Sequence, residues 1–154
     1  MDDLDKEKAV EIYKQLGIKD SEVAWNCLGG KFGDIILLSD TLKIKSNEED
    51  SLDDILNDEI MQLQMLFNYM NAIKPRVSIN DIEFTLEISD IRKILTTILE
   101  QGRIFQNDIR VDLLRYLVNE NILFLNPKNG IVKFQSRLIE NAMNKLMVPV
   151  YKNS

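Results

Sequence analysis

Histidine is missing altogether from this 154-residue sequence. That removes Ser-His-Asp and Cys-His nucleophile systems, and with them zinc sites of the Cys/His kind. Cysteine occurs once, at Cys27. No disulfide can close within the chain, and a reducing compartment is the expected setting. Prolines number three and aromatics make up 7%; with Leu and Ile dominating the apolar set, the composition leans to helix. Long apolar runs are absent as well. The longest, Ile35 to Leu38 and Ile122 to Leu125, are far short of the roughly 20 residues a membrane-spanning helix needs, so this segment is expected to make no membrane contact. The opening Met1-Asp2-Asp3-Leu4-Asp5 is acidic and reads as neither a secretory signal nor an Arg-rich transit peptide. An intracellular protein is expected.

Carboxylates are plentiful, but they scatter over helix faces rather than pairing. Hydrolytic chemistry centred in this chain alone is therefore not expected, nor is a metal site. With 45% hydrophobic residues the length suffices for one good core, or for two small subdomains sharing one. The net charge of −6 is unevenly spread: residues 1–75 carry a net −8 and residues 76–154 a net +2. Only the second part could tolerate a polyanion at its surface.

The first 75 residues read as helices. One is predicted from Leu4 to Leu16, with Leu4, Val10, Tyr13 and Leu16 inward and Gly17 as its stop. Asp20 or Ser21 caps a second through Cys27, with Val23, Ala24 and Cys27 inward and Trp25 as a structural anchor. A third runs from Phe32 to Ile44. The polar stretch Lys45 to Ser51 reads as a solvated acidic loop leading to a helix N-terminus. A long helix from Leu52 to Ile73 follows, its apolar residues recurring at three and four, with Met61, Met65 and Met70 thickening the inward stripe.

Pro75 ends that helix, and Val77 to Ile88 is predicted as a short extended piece on the alternation of Ile82, Phe84, Leu86 and Ile88; a helix capped at Ser78 or Asn80 is the alternative. Then come a helix from Ser89 or Asp90 to Gln101, stopped by Gly102, and an extended link Arg103-Ile104-Phe105. Next are a helix from Asn107 to Asn119 and two β-rich runs, Ile122 to Leu125 and Ile131 to Phe134, around Asn126-Pro127-Lys128-Asn129-Gly130. Asn-Gly between such runs signals a hairpin. A last helix is predicted from Ser136 to Met147, with Pro149 closing the fold. Helix, short link, helix, hairpin is the winged helix-turn-helix order. The fold expected is mainly α: a helical subdomain over 1–75, then a winged-helix subdomain with a small β-hairpin over 76–154.

Two motifs invite a ligand. Leu28-Gly29-Gly30-Lys31-Phe32-Gly33-Asp34 packs three glycines and a lysine just ahead of a helix. A Walker A loop, however, needs Gly-x-x-x-x-Gly-Lys-Ser/Thr. Aligned on Gly30-Lys31, Trp25 stands where the first glycine belongs and Phe32 where the hydroxyl belongs, and no strand leads in. The stretch is not a P-loop; a glycine elbow that lets two helices cross closely is the plainer reading. The winged-helix part suggests nucleic acid through Arg110 and Arg115 on the recognition helix and Lys128 and Lys133 on the wing. Asp108, Asp112 and Glu120 nearly cancel those arginines, leaving little charge for counterion release. Protein contact is favoured over nucleic acid.

The order of parts resembles the region C-terminal to the nucleotide-binding core of AAA+ and STAND-type P-loop ATPases, a small helical lid followed by a winged helix. Within that group, Leu28-Gly29-Gly30-Lys31-Phe32-Gly33-Asp34 and its hydrophobic helix resemble the Leu-Gly-Gly-Arg-x-x-Asp-Leu segment of the mitochondrial escape protein family. Asp58-Glu59-Ile60 is similar to an acidic-apolar helix there. Archaeal-type ATPases, in which a Gly-Gly turn begins a lid helix, are similar too. Lys31 takes the place of the family's arginine, keeping the charge but not the bidentate geometry, and residues 77–90 depart from an aromatic-rich stretch. The resemblance implies a non-catalytic lid and winged-helix module that works with a P-loop ATPase core, upstream in the same chain or in another subunit, and with further protein partners. ATP and magnesium would sit in that core, Lys31 would approach the nucleotide phosphates, and the compartment would be mitochondrial.

Overall fold

The computed structural model describes residues 3–147, so the expected role of Pro149 lies outside the described residues. Within them the fold is mainly helical with small antiparallel sheets, as expected. The seven helices are α1 (Lys6–Gln15), α2 (Ser21–Leu28), α3 (Phe32–Lys45), α4 (Glu48–Ala72), α5 (Ile88–Gln101), α6 (Val111–Asn119) and α7 (Arg137–Met147). The strands are β1 (Arg76–Ile79), β2 (Ile82–Thr85), β3 (Ile104–Phe105), β4 (Leu123–Leu125) and β5 (Ile131–Phe134).

Two compact units divide the chain, and neither ends at residue 75. The first takes the chain to Met61 together with Ser136–Leu146; the second is Gln62–Gln135. The expected boundary at Pro75 followed the end of α4, but α4 contributes its early turns to one unit and its later turns to the other. Ser136, its hydroxyl accepting from the Ile139 amide at 3.1 Å, then opens α7, which rejoins the first unit.

In the first unit α1 and α2 begin where a side chain meets orphan amides. Asp5 accepts from the Lys8 amide at 2.9 Å and Asp20 from that of Val23 at 3.3 Å. The core joins Ala9 and Tyr13 of α1, Ala24 and Leu28 of α2, Ile35 and Leu38 of α3, Leu52 and Ile55 of α4, and Leu138 of α7. Leu16 and Val23, expected inward, are exposed. The loop expected from Lys45 to Ser51 shrinks to two residues because Glu48, Glu49 and Asp50 form the first turn of α4, where the helix dipole favours them. Glu48 reaches back to accept from the amides of Lys19 and Asp20 at 2.8 and 3.0 Å, so one carboxylate serves the first turn of α4 and the entry to α2.

In the second unit the stretch after Pro75 is a hairpin rather than one extended piece. Val77 faces Phe84 and Ile79 faces Ile82 across β1 and β2. Asn80 and Asp81 make the turn with φ of 51° and 66°, the left-handed pair that a two-residue turn of this hand demands. A three-stranded sheet in the order β3-β5-β4 follows, Ile104 opposite Val132 and Leu123 opposite Phe134. A 3-10 turn, Gln106–Asp108, precedes α6, so that helix starts four residues later than expected. Helix, strand, helix and hairpin thus fall in the expected order. Phe67 and Met70 are buried here, but Met61 and Met65 are 60% and 65% exposed. Those two methionines are not core. An apolar residue can match a helical stripe at its edge and still face water.

Candidate functional site

The glycine elbow of the first unit is where constraint and unpaired chemistry meet. Gly29 ends α2 with φ 71° and ψ −144°, a conformation essentially confined to glycine, and its amide donates to Trp25 at 2.8 Å. The buried Tyr13 hydroxyl donates to the Gly29 carbonyl at 2.8 Å. Burial, with Asp34 and then Cys27 nearby, drives that phenol far above its ordinary range. The Leu4 amide donates to the Gly30 carbonyl at 2.8 Å, and a Cβ on Gly30 would lie 2.0 Å from the Leu4 carbonyl oxygen. From α7 the Asn141 side-chain amide donates to the carbonyls of Asn26 and Cys27 at 2.9 and 2.8 Å, satisfying two of the acceptors a helix end leaves open. The Arg137 guanidinium lies 5.8 Å from the centre of the Trp25 ring. Trp25 is an anchor, as expected.

Lys31 sits at the N-cap of α3, half-buried, its carbonyl accepting from the amides of Asp34 and Ile35 at 3.1 Å and its side chain making no capping bond. One carboxyl oxygen of Asp34, Oδ2, is shut from solvent and has no hydrogen-bond partner among the described residues. Burial pushes the Asp34 carboxyl above its ordinary range, Lys31 pulls it back and Asp3 adds to the rise. On α4, Glu59 behaves alike: burial and then Asp34 raise it, and Lys31 lowers it. Burial, Asp53 and Asp34 also raise the Cys27 thiol, so it is not an activated nucleophile. Lys31 therefore stands among two carboxyls that resist ionisation. No group of three or more Cys, Asp and Glu suited to a metal ion occurs among the described residues.

A carboxyl whose pKa is raised by folding favours the fold fully below its unfolded value and loses that contribution as pH rises through the folded one. Asp34→Asn is accordingly expected to raise the melting temperature at neutral pH and to change it little once pH is below the unfolded carboxyl value, about 3.9, where the carboxyl is protonated folded and unfolded alike. Equal shifts at both pH values, followed by circular dichroism, would show that ionisation at Asp34 is not the cause.

The other residues singled out from the sequence lie in the second unit. Arg110 stands just before α6; its Nε and Nη2 meet the two oxygens of Asp112 at 3.1 and 2.7 Å, and its Nη1 meets Asp90 at 3.2 Å. Asp112 is 4% exposed. What the sequence offered as cancelling charges on a recognition surface is a structural clamp joining the first turns of α5 and α6. Arg115 is exposed, its Nη1 3.4 Å from the Ser78 carbonyl. Lys128 and Lys133 are exposed on the hairpin of β4 and β5. Lys31 belongs to the first unit and these four to the second. Sequence reasoning passed over Tyr13, Glu59, Asn141 and Arg137 as site residues. Only the carboxylate of Glu59, within Asp58-Glu59-Ile60, gave a local signal; Asn141 meets its partners more than a hundred residues away.

The family model described as "Uncharacterized ATP-binding protein MJ1010-like, C-terminal domain" matches residues 49–147. This chain belongs to that family. Beyond the matched domain, "Uncharacterized ATP-binding protein MJ0074" of Methanocaldococcus jannaschii is 37% identical over 96% of this chain, which spans 43% of that protein. "Uncharacterized ATP-binding protein MJ1010" of the same archaeon is 35% identical over 96% of the chain and 41% of its own length. The chain thus spans less than half of the relatives it matches. The crystal structure of the C-terminal domain of a possible ATP-binding protein from M. jannaschii superposes with a TM-score of 0.60 at 33% identity, covering 64% of this chain and 96% of that one. The match reaches the MJ1010-like family and does not extend to the mitochondrial escape family that the elbow motif suggested. Helices α1 to α3, with the elbow, precede the matched domain and yet share their core with α4 and α7.

Proposed function

We propose that this chain is the non-catalytic C-terminal portion of a P-loop ATP-binding protein, a helical lid followed by a winged-helix module, which converts the state of a nucleotide held elsewhere into domain movement. The observation that carries the proposal is the match to ATP-binding proteins along 96% of the chain but under half of their length. Their ATP-binding part is then to be sought in the remainder. Partnership with a core of the AAA+ or STAND kind is the finer form of the proposal, supported by the glycine elbow and the order of parts. The relatives being archaeal, nothing in them favours a mitochondrial compartment.

In this reading ATP and magnesium sit in the core, and Lys31, at the start of α3 and without an ion-pair partner among the described residues, is the group from this chain that approaches the phosphates. The 154-residue chain alone is expected to show no magnesium-dependent ATP turnover above background, and turnover would overturn the proposal. In the longer protein, Lys31→Ala is expected to weaken nucleotide binding about tenfold, the loss of one charge-assisted hydrogen bond. Unchanged affinity by calorimetry would remove Lys31 from the mechanism. Direct nucleic-acid reading is disfavoured because Arg110 is held by two carboxylates, and restoring it to a phosphate would leave the buried Asp112 unpaired.

A further inference from the structure

Charge stops along the later part of α4. Ile60 to Ile73 holds no charged residue, in a sequence where 29% are charged, so nothing there repels a like surface. Within that run Met61, Met65, Tyr69 and Ile73 recur at every fourth position, each more than half exposed. Steps of four advance by about 40° around a helix, so the four make one outward stripe slanting along it. The Ile73 amide donates to the Tyr69 carbonyl at 2.8 Å, which keeps the last of them on the helical path. The exposed residues beside the stripe are Gln62, Asn68 and Ala72, all uncharged. Leu63, Phe67 and Met70 lie on the opposite side and are buried. A long uncharged stripe with two methionines is the adaptable kind of surface that protein contacts use.

The two ends of the stripe say what covers it. Asp58 lies seven residues before Met65, on the same side, exposed and in no ion pair among the described residues. Asp54, a turn further back, is held by Lys45 at 2.8 Å. At the other end Tyr69 and Ile73 share one concavity with Lys74 and Arg76. An acid thus opens the stripe and cations close it. A second copy laid antiparallel satisfies both ends at once. With the two-fold axis at Phe67, Met61 meets the second copy's Ile73, Met65 meets its Tyr69, and Asp58 comes to its Arg76. Each contact then occurs twice, as a two-fold interface requires. Glu87 and Glu83 already reach Lys74 and Arg76 at 2.8 and 3.2 Å, but pairs so exposed contribute little. A guanidinium also has donors for a second carboxylate. Parallel copies would instead set Asp58 against Asp58.

We propose that the stripe Met61, Met65, Tyr69 and Ile73 of α4 is the contact between two copies of this chain, paired antiparallel with Asp58 of each against Arg76 of the other. The pairing needs no nucleotide and stands apart from the proposed function. Four large side chains from each copy make an interface at the small end of the specific range, so the pair is expected to be weak and reversible. Sedimentation of the 154-residue chain from about 10 μM to about 1 mM should follow a monomer–dimer equilibrium. Met65→Lys, a change at an exposed position that leaves the circular dichroism spectrum as it was, is expected to weaken association at least tenfold. Register is read by oxidation in a Cys27→Ala background, with Met61→Cys and Ile73→Cys made in separate preparations and then mixed. Like thiols in the antiparallel pair are about 18 Å apart along the helices, beyond the reach of a disulfide. The mixed disulfide is therefore expected, and neither preparation alone should cross-link. Disulfides between like thiols would overturn the proposal, as would a dimer indifferent to Met65→Lys. A chain still monomeric at about 1 mM would overturn it as well and leave the stripe to a different protein.

Discussion

Gly30→Ala is expected to destabilise the first unit by about 3 kcal/mol, at the upper end for inserting a methyl into packed surroundings. The new Cβ would lie 2.0 Å from the Leu4 carbonyl oxygen and 2.9 Å from its carbon. Both belong to backbone, so no rotamer change relieves the overlap. Either the segment before α1 lifts away, losing the bond from the Leu4 amide to Gly30, or the elbow opens. At about 4–8 °C per kcal/mol for a unit of this size, the first melting transition should fall by about 15 °C. Gly33→Ala is the matched control. Its Cβ enters open space within the first turn of α3, where alanine is favoured over glycine by about 0.5–1 kcal/mol, so the isolated chain should become slightly more stable. Two glycines in one short stretch should thus move stability in opposite directions. A loss of less than 1 kcal/mol at Gly30, measured by urea unfolding, would mean that the contact with Leu4 does not constrain the elbow.

Arg110→Ala is expected to cost the second unit about 2 kcal/mol. It removes three charge-assisted hydrogen bonds and leaves the Asp112 carboxylate, whose side chain is 5% exposed, without its cation. The guanidinium itself is half in water, which keeps the figure below that of a fully buried pair. Arg110→Lys should recover only part of the loss, because an ammonium cannot match both carboxylate oxygens at once. The pH dependence separates this clamp from mere packing. Hydrogen bonding from Arg110 holds the Asp112 carboxyl below its ordinary range. Its contribution is therefore present above the unfolded carboxylate value, about 3.9, and disappears as pH falls through the lower folded one. Acidification should weaken the second unit by this route while relieving Asp34 and Glu59 in the first. Arg110→Ala should flatten the acid limb; an unchanged acid limb would assign the clamp no electrostatic role.

The helices were legible because three-and-four spacing of Leu and Ile dictates one buried side, and Gly17 and Gly102 stop their helices where such residues commonly do. The hairpin at Gly130 was legible for a similar reason, with φ 73° at a residue that takes it freely. The hairpin at Asn80-Asp81 was not, since its turn uses left-handed residues without a glycine to announce them. Periodicity also misplaced Met61 and Met65, because the stripe of α4 is wider than the side that is covered. At the elbow, Lys31 and the glycines stood out, but Asp34 mattered for a hydrogen bond it lacks, and no sequence pattern reports an absent partner. Arg110 and Asp112 were visible as charges; that they bind each other, two positions apart, depends on the start of α6, which only the fold fixes.

The return of α7 to the first unit also sets an order of events during synthesis. Gln62–Gln135 is a continuous stretch that can condense as soon as it leaves the ribosome, whereas the first unit lacks Leu138 and Asn141 until the final helix emerges. Until then the core cluster lacks Leu138, and the carbonyls of Asn26 and Cys27 at the end of α2 lack the Asn141 amide. Making these contacts brings together residues more than a hundred positions apart, the kind of contact that forms slowly. A nascent chain stalled before Ser136 would therefore present a finished module attached to an unfinished one, and should be the species that chaperones hold.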